Sequence, residues 1–398
     1  MSIQNDSGTT LAYKKKTTGD YGALPGASGA TYLRNIDSTF ALKKSAIESK
    51  EKRSDQQVSK PRHGMRQSSG NVTGHLSTGT YADFIASCLR RDFAAVASLS
   101  ALTNVTASAT APQFVRASGS WITDGLRVGM VVRCAGWATT GTANNAKNFT
   151  ITALTATDMT VAETVAAKAS GDSVVVSIPG KVTYVPATGH TKDEYVFEYD
   201  NPDADLTLLS LGQRVSSIEF DLMPDDNIGI TITFMGQDTT ADAATYFTSV
   251  AAETTTTILT GLSGGIYLDG IEQGTITSFK LKIDNKLSTG KTFSNNVTPD
   301  VFYGSTVVDG SMTVYLENDV IYNKFDAETA ISTVIRIDES DAVNCPFVAI
   351  AIPDGTIADG SLSKDNNART ISFNFKAGRG LGTNGWRDTT IQIQDSGA

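Results

Sequence analysis

Histidine and cysteine are scarce in this chain, with three of each among 398 residues. His63, His75 and His190 fall into no H-x-x-x-H or H-E-x-x-H pattern, and Arg62 and Arg66 beside His63 disfavour a bound cation. Cys88, Cys134 and Cys345 are odd in number and far apart, without C-x-x-C spacing. That argues against a disulfide framework and a zinc site, and the thiols are expected to be reduced. Long hydrophobic runs are missing as well. No stretch approaches the roughly 18 apolar residues of a membrane-spanning helix, and "MSIQNDSGTTLAYKKK" has no apolar core of a signal peptide. The expectation is a protein made in the cytosol and kept there or released by lysis. Catalytic patterns are equally thin. "GRGLG", Gly378 to Gly382, follows a strand pattern, lacks a following helix and carries no Lys-Ser/Thr pair, so it reads as a turn. "DNPDADL", with Asp200, Asp203 and Asp205, has neither the glycine nor the twelfth-position glutamate of a calcium loop. No catalytic residue, cofactor site or metal site is expected.

What the chain does have is strand. Gly, Ser, Thr, Ala, Val and Ile dominate, a usage that favours short strands and turns. "SIEFDLM" places Ile218, Phe220 and Leu222 on one face with Glu219 and Asp221 on the other, and "IGITITF" repeats the pattern with Ile228, Ile230, Ile232 and Phe234. The turn sequence "PDDN", Pro224 to Asn227, joins them into a predicted hairpin. "FKLKID", "SMTVYLE", "ISFNFKA" and "TIQIQ" alternate likewise, as antiparallel sheets with one buried and one wet face do. A single amphipathic helix stands out over about 80–93. Its apolar stripe is Tyr81, Phe84, Ile85, Cys88 and Leu89, with Thr80 as its expected cap and Arg90 and Arg91 at its negative end.

Two stretches interrupt the pattern. Residues 112–180 hold their own short strands and apolar residues, including Trp121, Val128, Val131, Val132, Ile151, Leu154 and Val161, and read as an inserted small β domain. Residues 237–265, rich in Thr, Ala, Gly and Ser, read as a mobile loop or a segment ordered by a neighbouring subunit.

Charge is distributed unevenly. The chain carries −9 overall, which disfavours general binding of nucleic acid. Yet the segment from Lys43 to Gln67 holds eight cations (Lys43, Lys44, Lys50, Lys52, Arg53, Lys60, Arg62, Arg66) against Glu48, Glu51 and Asp55, a net +5 that leaves −14 for the remainder.

The order of parts from Ile36 to Arg90 resembles the N-terminal signature of phage tail tube proteins, the major tail proteins of long-tailed phages. The basic strand is followed by "RHG" (Arg62 to Gly64), a G-x-V-x-G strand (Gly70 to Gly74) and "LSTGTYADFIAS" opening the helix. The likeness continues through "VSSIEFDLMPDDNIGITITFMGQD", "ITSFKLKIDN", "GSMTVYLEND", "YNKFDAETA" and "RTISFNFKAG", and the stretch "FVRASGSWITDGLRVGMVVRCAG" is similar to a small β domain that some members carry. The resemblance implies a mainly β fold, an antiparallel sandwich or partial barrel with one packed helix and long hairpins. It would be formed by 1–111 and 181–398 around the insertion at 112–180. It also implies a structural, non-enzymatic virion protein that forms hexameric rings stacked head to tail. Its partners would be itself, other tail proteins at the tube ends and viral DNA passing through without specific binding. A long non-contractile tail, assembled in the host bacterial cytoplasm, goes with that picture.

Two site expectations follow. The eight cations of Lys43 to Arg66 are expected at one axial end of a ring, against acids of the next. A solvated surface or contact with passing DNA are the other two readings of that segment. Glu219 and Asp221, or their counterparts Thr231 and Thr233, are expected to face the channel. Two competing readings of the whole chain are an adhesion module, suggested by the Thr/Ser-rich strands and the insertion, and a hydrolase using the acidic turns, which requires a deep pocket with shifted carboxylates.

Overall fold

The computed structural model describes residues 4–293, 295–317, 320–365 and 367–398. Alternation governs the architecture. The predicted hairpin is formed by the strands Leu206–Leu222 and Gly229–Gly236, with Glu219 opposite Thr231 and Ile218 opposite Ile232. Gly229–Gly236 pairs onward with Arg62–His75, which pairs with Asp37–Ile47. On its other side Leu206–Leu222 pairs with Ile276–Asp284, followed by Val307–Tyr315, Ala368–Ala377 and the end of Phe347–Asp365. The result is one broad antiparallel front sheet.

Two long strands turn this sheet into a partial barrel. The first half of Leu206–Leu222 pairs with Glu194–Asn201 and Asp238–Asp242, and its second half belongs to the front sheet. The first half of Phe347–Asp365 pairs with Ile331–Asp338 and Gln392–Asp395 behind the core, and its second half returns to the front. Register shifts at Val215/Ser217 and at Ile357/Asp359 mark bulges, which bend a strand and let it serve two sheets. Between front and back lie Ile218, Phe220, Ile232, Phe279, Leu281, Phe373, Ile335, Ile350 and Ile393, all buried. Each such side chain contributes about 1.5–3 kcal/mol when fully buried.

The helix is shorter than its sequence pattern. It spans Ala82–Leu89 and packs Phe84, Ile85, Cys88 and Leu89 into the same core. Thr80 does not cap it. Tyr81 is the residue before the first turn, and the Thr80 hydroxyl is drawn instead to Ser77 (2.7 Å) and Thr254 (2.6 Å). Arg90 adopts the left-handed conformation and ends the helix, with its N–H donating to the Ser87 carbonyl and that of Arg91 to Ala86. A seven-residue helix, Val320–Asp326, overlaps the start of "YNKFDAETA".

A second, seven-stranded sheet starts at Leu99 and ends at Ser177, so two strands, Leu99–Leu102 and Val105–Ser108, precede the boundary expected at 112. The strand Val105–Ser108 runs into the small residues "TASATAP", which show no apolar alternation; its pairing with Gln113–Arg116 supplies what local pattern lacks. This sheet encloses its own core around Trp121, Phe114, Phe149 and Met130. It docks on the back of the barrel without a gap. Gly129, at φ +81°, leaves no room for a β-carbon, which would lie 2.2 Å from that of Ala351. Gln394 bridges the junction, donating to the Val131 carbonyl (3.0 Å) while its oxygen accepts from the Val131 N–H (2.8 Å). Arg336 pairs with Glu163 across the junction and with Asp338 at 2.8 Å. Burial raises both carboxyls above their ordinary range, and the guanidinium offsets part of that shift.

The polar segment 237–265 is not a free loop. Asp238–Asp242 is a strand on Leu206–Leu222, and Leu259 and Phe247 are buried. Its hydroxyls find partners inside the chain: Thr239 with Ser68 (2.7 Å) and Ser210 (3.0 Å). Thr239 is thus satisfied across strands by serines of the same chain.

Candidate functional site

The wet face of the front sheet is a ruled surface of alternating charge. Because side chains two apart share a face and the register is continuous, Glu219 stands between Thr231 and Lys282, Lys282 is followed by Asp309, and Asp309 by Lys376. The next row runs Asp221, Lys280, Ser311, Asn374 and Asp359. Lys280 reaches Asp221 at 2.9 Å, and Lys282 pairs with Glu219, which holds the ammonium above its ordinary pKa. A shallow groove of about 500 Å³ runs across these residues. Thr231 lines it, while Thr233 lies farther along the same face, opposite Ser217 and Asn71. The four residues expected to face a channel therefore share one surface. The cations Lys280, Lys282 and Lys376 were legible as the wet positions of "FKLKID" and "ISFNFKA"; their register against Glu219 and Asp221 was not.

The eight cations form no single cluster. The strands Asp37–Ile47 and Arg62–His75 make a hairpin whose connection, 48–61, is exposed almost throughout. Lys43, Lys44, Lys50, Lys52, Lys60 and Arg62 are exposed and make no ion pair among the described residues. The other two are engaged. Arg66 binds Asp238 at 2.8 Å and the Thr239 carbonyl at 3.2 Å, and Arg53 binds Asp55 at 3.1 Å. Arg66 is thereby a brace between the hairpin and the strand Asp238–Asp242.

The two ends of the front sheet differ in charge. Pairing of Gly229 with His75 and of Gly236 with Ser68 puts the basic connection beyond one end of these strands and the turn 224–227 beyond the other. That far end presents Asp225 and Asp226 exposed, together with Glu272 and Glu317, against the cations Lys364 and Arg369. A cationic end and a carboxylate-rich end on one molecule suit head-to-tail contact.

Among the described residues, no group of three His, Cys, Asp or Glu side chains converges. The three cysteines are free and buried, and burial raises the Cys88 and Cys345 thiols above their ordinary value and pushes Cys134 up to about 12. No helix of the described residues is long and apolar enough to cross a membrane.

Comparison with known families settles the fold's membership. The profile of the family described as phage tail tube protein matches residues 6–377. The chain belongs to the phage tail tube protein family. It is thus a structural component of the virion tail, in a family that self-assembles with other tail proteins. No curated protein matches the chain. Within the tail tube family's match lies the whole of the charged face, the basic hairpin and the seven-stranded sheet.

Proposed function

We propose that this tail tube protein forms hexameric rings that stack head to tail, and that the resulting channel conducts viral DNA to the host. The observation that carries the reading is the division of one sheet: an apolar side sealed into the core, a wet side whose acids pair with its own lysines, and ends of unlike charge. Glu219, Asp221, Thr231 and Thr233 line the channel. Phosphates passing them meet ammonium groups already held by carboxylates, so the strand slides instead of binding. Lys43, Lys44, Lys50, Lys52, Lys60 and Arg62 reach the carboxylate-rich end of the next ring, with Arg53 adding its charge. Arg66 fixes the angle of the hairpin instead of touching the next ring. One exposed pair contributes at most about 1 kcal/mol, but repetition around a ring sets polarity and register. The seven-stranded sheet lies on the tube exterior, where its bulk leaves the channel open. Assembly takes place in the bacterial cytoplasm, and a long non-contractile tail is the setting.

The test is negative-stain electron microscopy of the purified chain over a range of concentration and salt. Hollow tubes of constant width with sixfold end views, growing less readily as salt screens the hairpin, are the expected result. Monomers or trimers alone under all conditions would move the reading to an adhesion module. To place the lining, cysteine is substituted at Glu219 or Thr233 and probed with a bulky thiol reagent on tubes with capped ends. Rapid labelling from outside would remove those residues from the channel.

A further inference from the structure

A second cluster of cations lies away from the basic hairpin. At the end of the helix Ala82–Leu89, Arg90 meets Arg214, Lys192 and the segment 300–303 around a pocket of about 240 Å³. Arg214 is buried, and only part of its guanidinium is used: Nη1 donates to the Val301 carbonyl and pairs with Asp300 at 2.8 Å. Its Nε is buried without a partner, as are Arg90 Nε and the Tyr303 hydroxyl. The Arg90 guanidinium lies over the Tyr303 ring at 4.4 Å, and Arg214 over the Tyr21 ring at 4.4 Å. Arg90 and Lys192 make no ion pair among the described residues, and among the lining residues three cations face the carboxylate of Asp300; Asp193 and Glu194 lie nearby but are paired with Lys15 and Lys16. The excess positive charge is felt nearby: the His190 imidazole is held below its ordinary pKa by partial burial and by Arg90.

The guanidinium and ammonium groups that line the pocket can only donate. A cation would be repelled, and an apolar group would leave the surplus charge uncompensated. The ligand chemistry that compensates that charge and accepts from those donors is an anion with several acceptor oxygens.

We propose that this pocket binds a small oxyanion, held by Arg90, Arg214 and Lys192. The chemistry is shared by a carboxylate and a phosphate. In the assembled tail its source is an Asp or Glu side chain of a second copy, an assignment that rests on the proposed tube. Carboxylates are abundant outside the basic hairpin, and Phe302, half exposed at the rim, offers an apolar collar to a neighbour.

The experiment begins with unassembled full-length chain, so it stands or falls independently of tube formation. Thermal melts are recorded in inorganic phosphate, in acetate and in chloride at equal ionic strength and pH 7. A saturable rise of about 3 °C is expected at phosphate a hundredfold above its Kd. Lys192→Gln, at an exposed position, and Arg90→Gln keep the chloride melt while losing most of that rise. Equal melts in phosphate and chloride, or variants that respond as the native chain does, would overturn the site. The second arm repeats the titration on assembled tubes. A neighbour's carboxylate predicts that phosphate slows tube growth and no longer raises the melt once tubes have formed; a free anion predicts the same rise in both states.

Discussion

Two charged regions of this chain have similar residue types and opposite fates. On the wet face of the front sheet, Glu219, Asp221, Lys280 and Lys282 are exposed or half exposed and paired within the chain. On the basic hairpin, six of eight cations are exposed and unpaired. Burial alone does not distinguish them; partnership does. A surface that neutralises itself can stay in water and let a polyanion pass, whereas a surface with surplus charge can attract a complementary one, as the proposed contact between rings requires.

Four changes test that contrast, beginning with the greatest effect. Reversing Lys50, Lys52 and Arg53 to Glu should abolish tube growth, seen by electron microscopy and sedimentation, while circular dichroism and the melting point of the unassembled chain stay close to native. Normal growth would show that surplus charge is only solvated. Arg336 is the opposite case, a buried cation with two acids. Arg336→Met strands Glu163 and Asp338 and should lower stability by about 3–5 kcal/mol in denaturant titration. A loss under about 1 kcal/mol would mean that packing around Gly129 and the hydrogen bonds of Gln394 hold the seven-stranded sheet without the ion pairs.

Smaller effects are expected on the self-paired face. Lys280→Ser with Lys282→Ser should change stability by less than about 1 kcal/mol per pair and leave tubes intact. Failure to form tubes would place these residues in an interface, not on a free surface. The least effect concerns pH. Because burial raises the folded-state pKa of Glu163, its contribution favours folding below the ordinary carboxylate pKa and is lost as pH rises through the folded value. The native chain should therefore gain stability relative to Glu163→Gln as pH falls from 7 toward the ordinary carboxylate range, read from paired melts. A constant difference would contradict the shift.

Much of this was legible in sequence because period-two alternation survives wherever a strand has one dry and one wet side. The hairpin around Pro224 to Asn227 and the strands ending in "FKLKID" and "ISFNFKA" appear where alternation puts them. Local pattern failed where meaning depended on distant residues. Thr80 had the right identity for a cap, but Ser77 and Thr254 compete for its hydroxyl. Thr239 looked solvent-seeking until its partners Ser68 and Ser210 arrived from elsewhere in the chain. Arg66 could not be separated from its basic neighbours without Asp238, and the oxyanion pocket joins Arg90, Lys192, Arg214 and Tyr303 from four separate stretches.

The strand Leu206–Leu222 has one more consequence. At 17 residues it is about 55 Å long, and it is hydrogen-bonded in one sheet for its first half and in another for its second. Tension applied to either sheet therefore runs along covalent bonds and does not have to cross a packed boundary that can slip. Within each subunit it serves as a tie rod, coupling the two sheets when the filament is bent or strained.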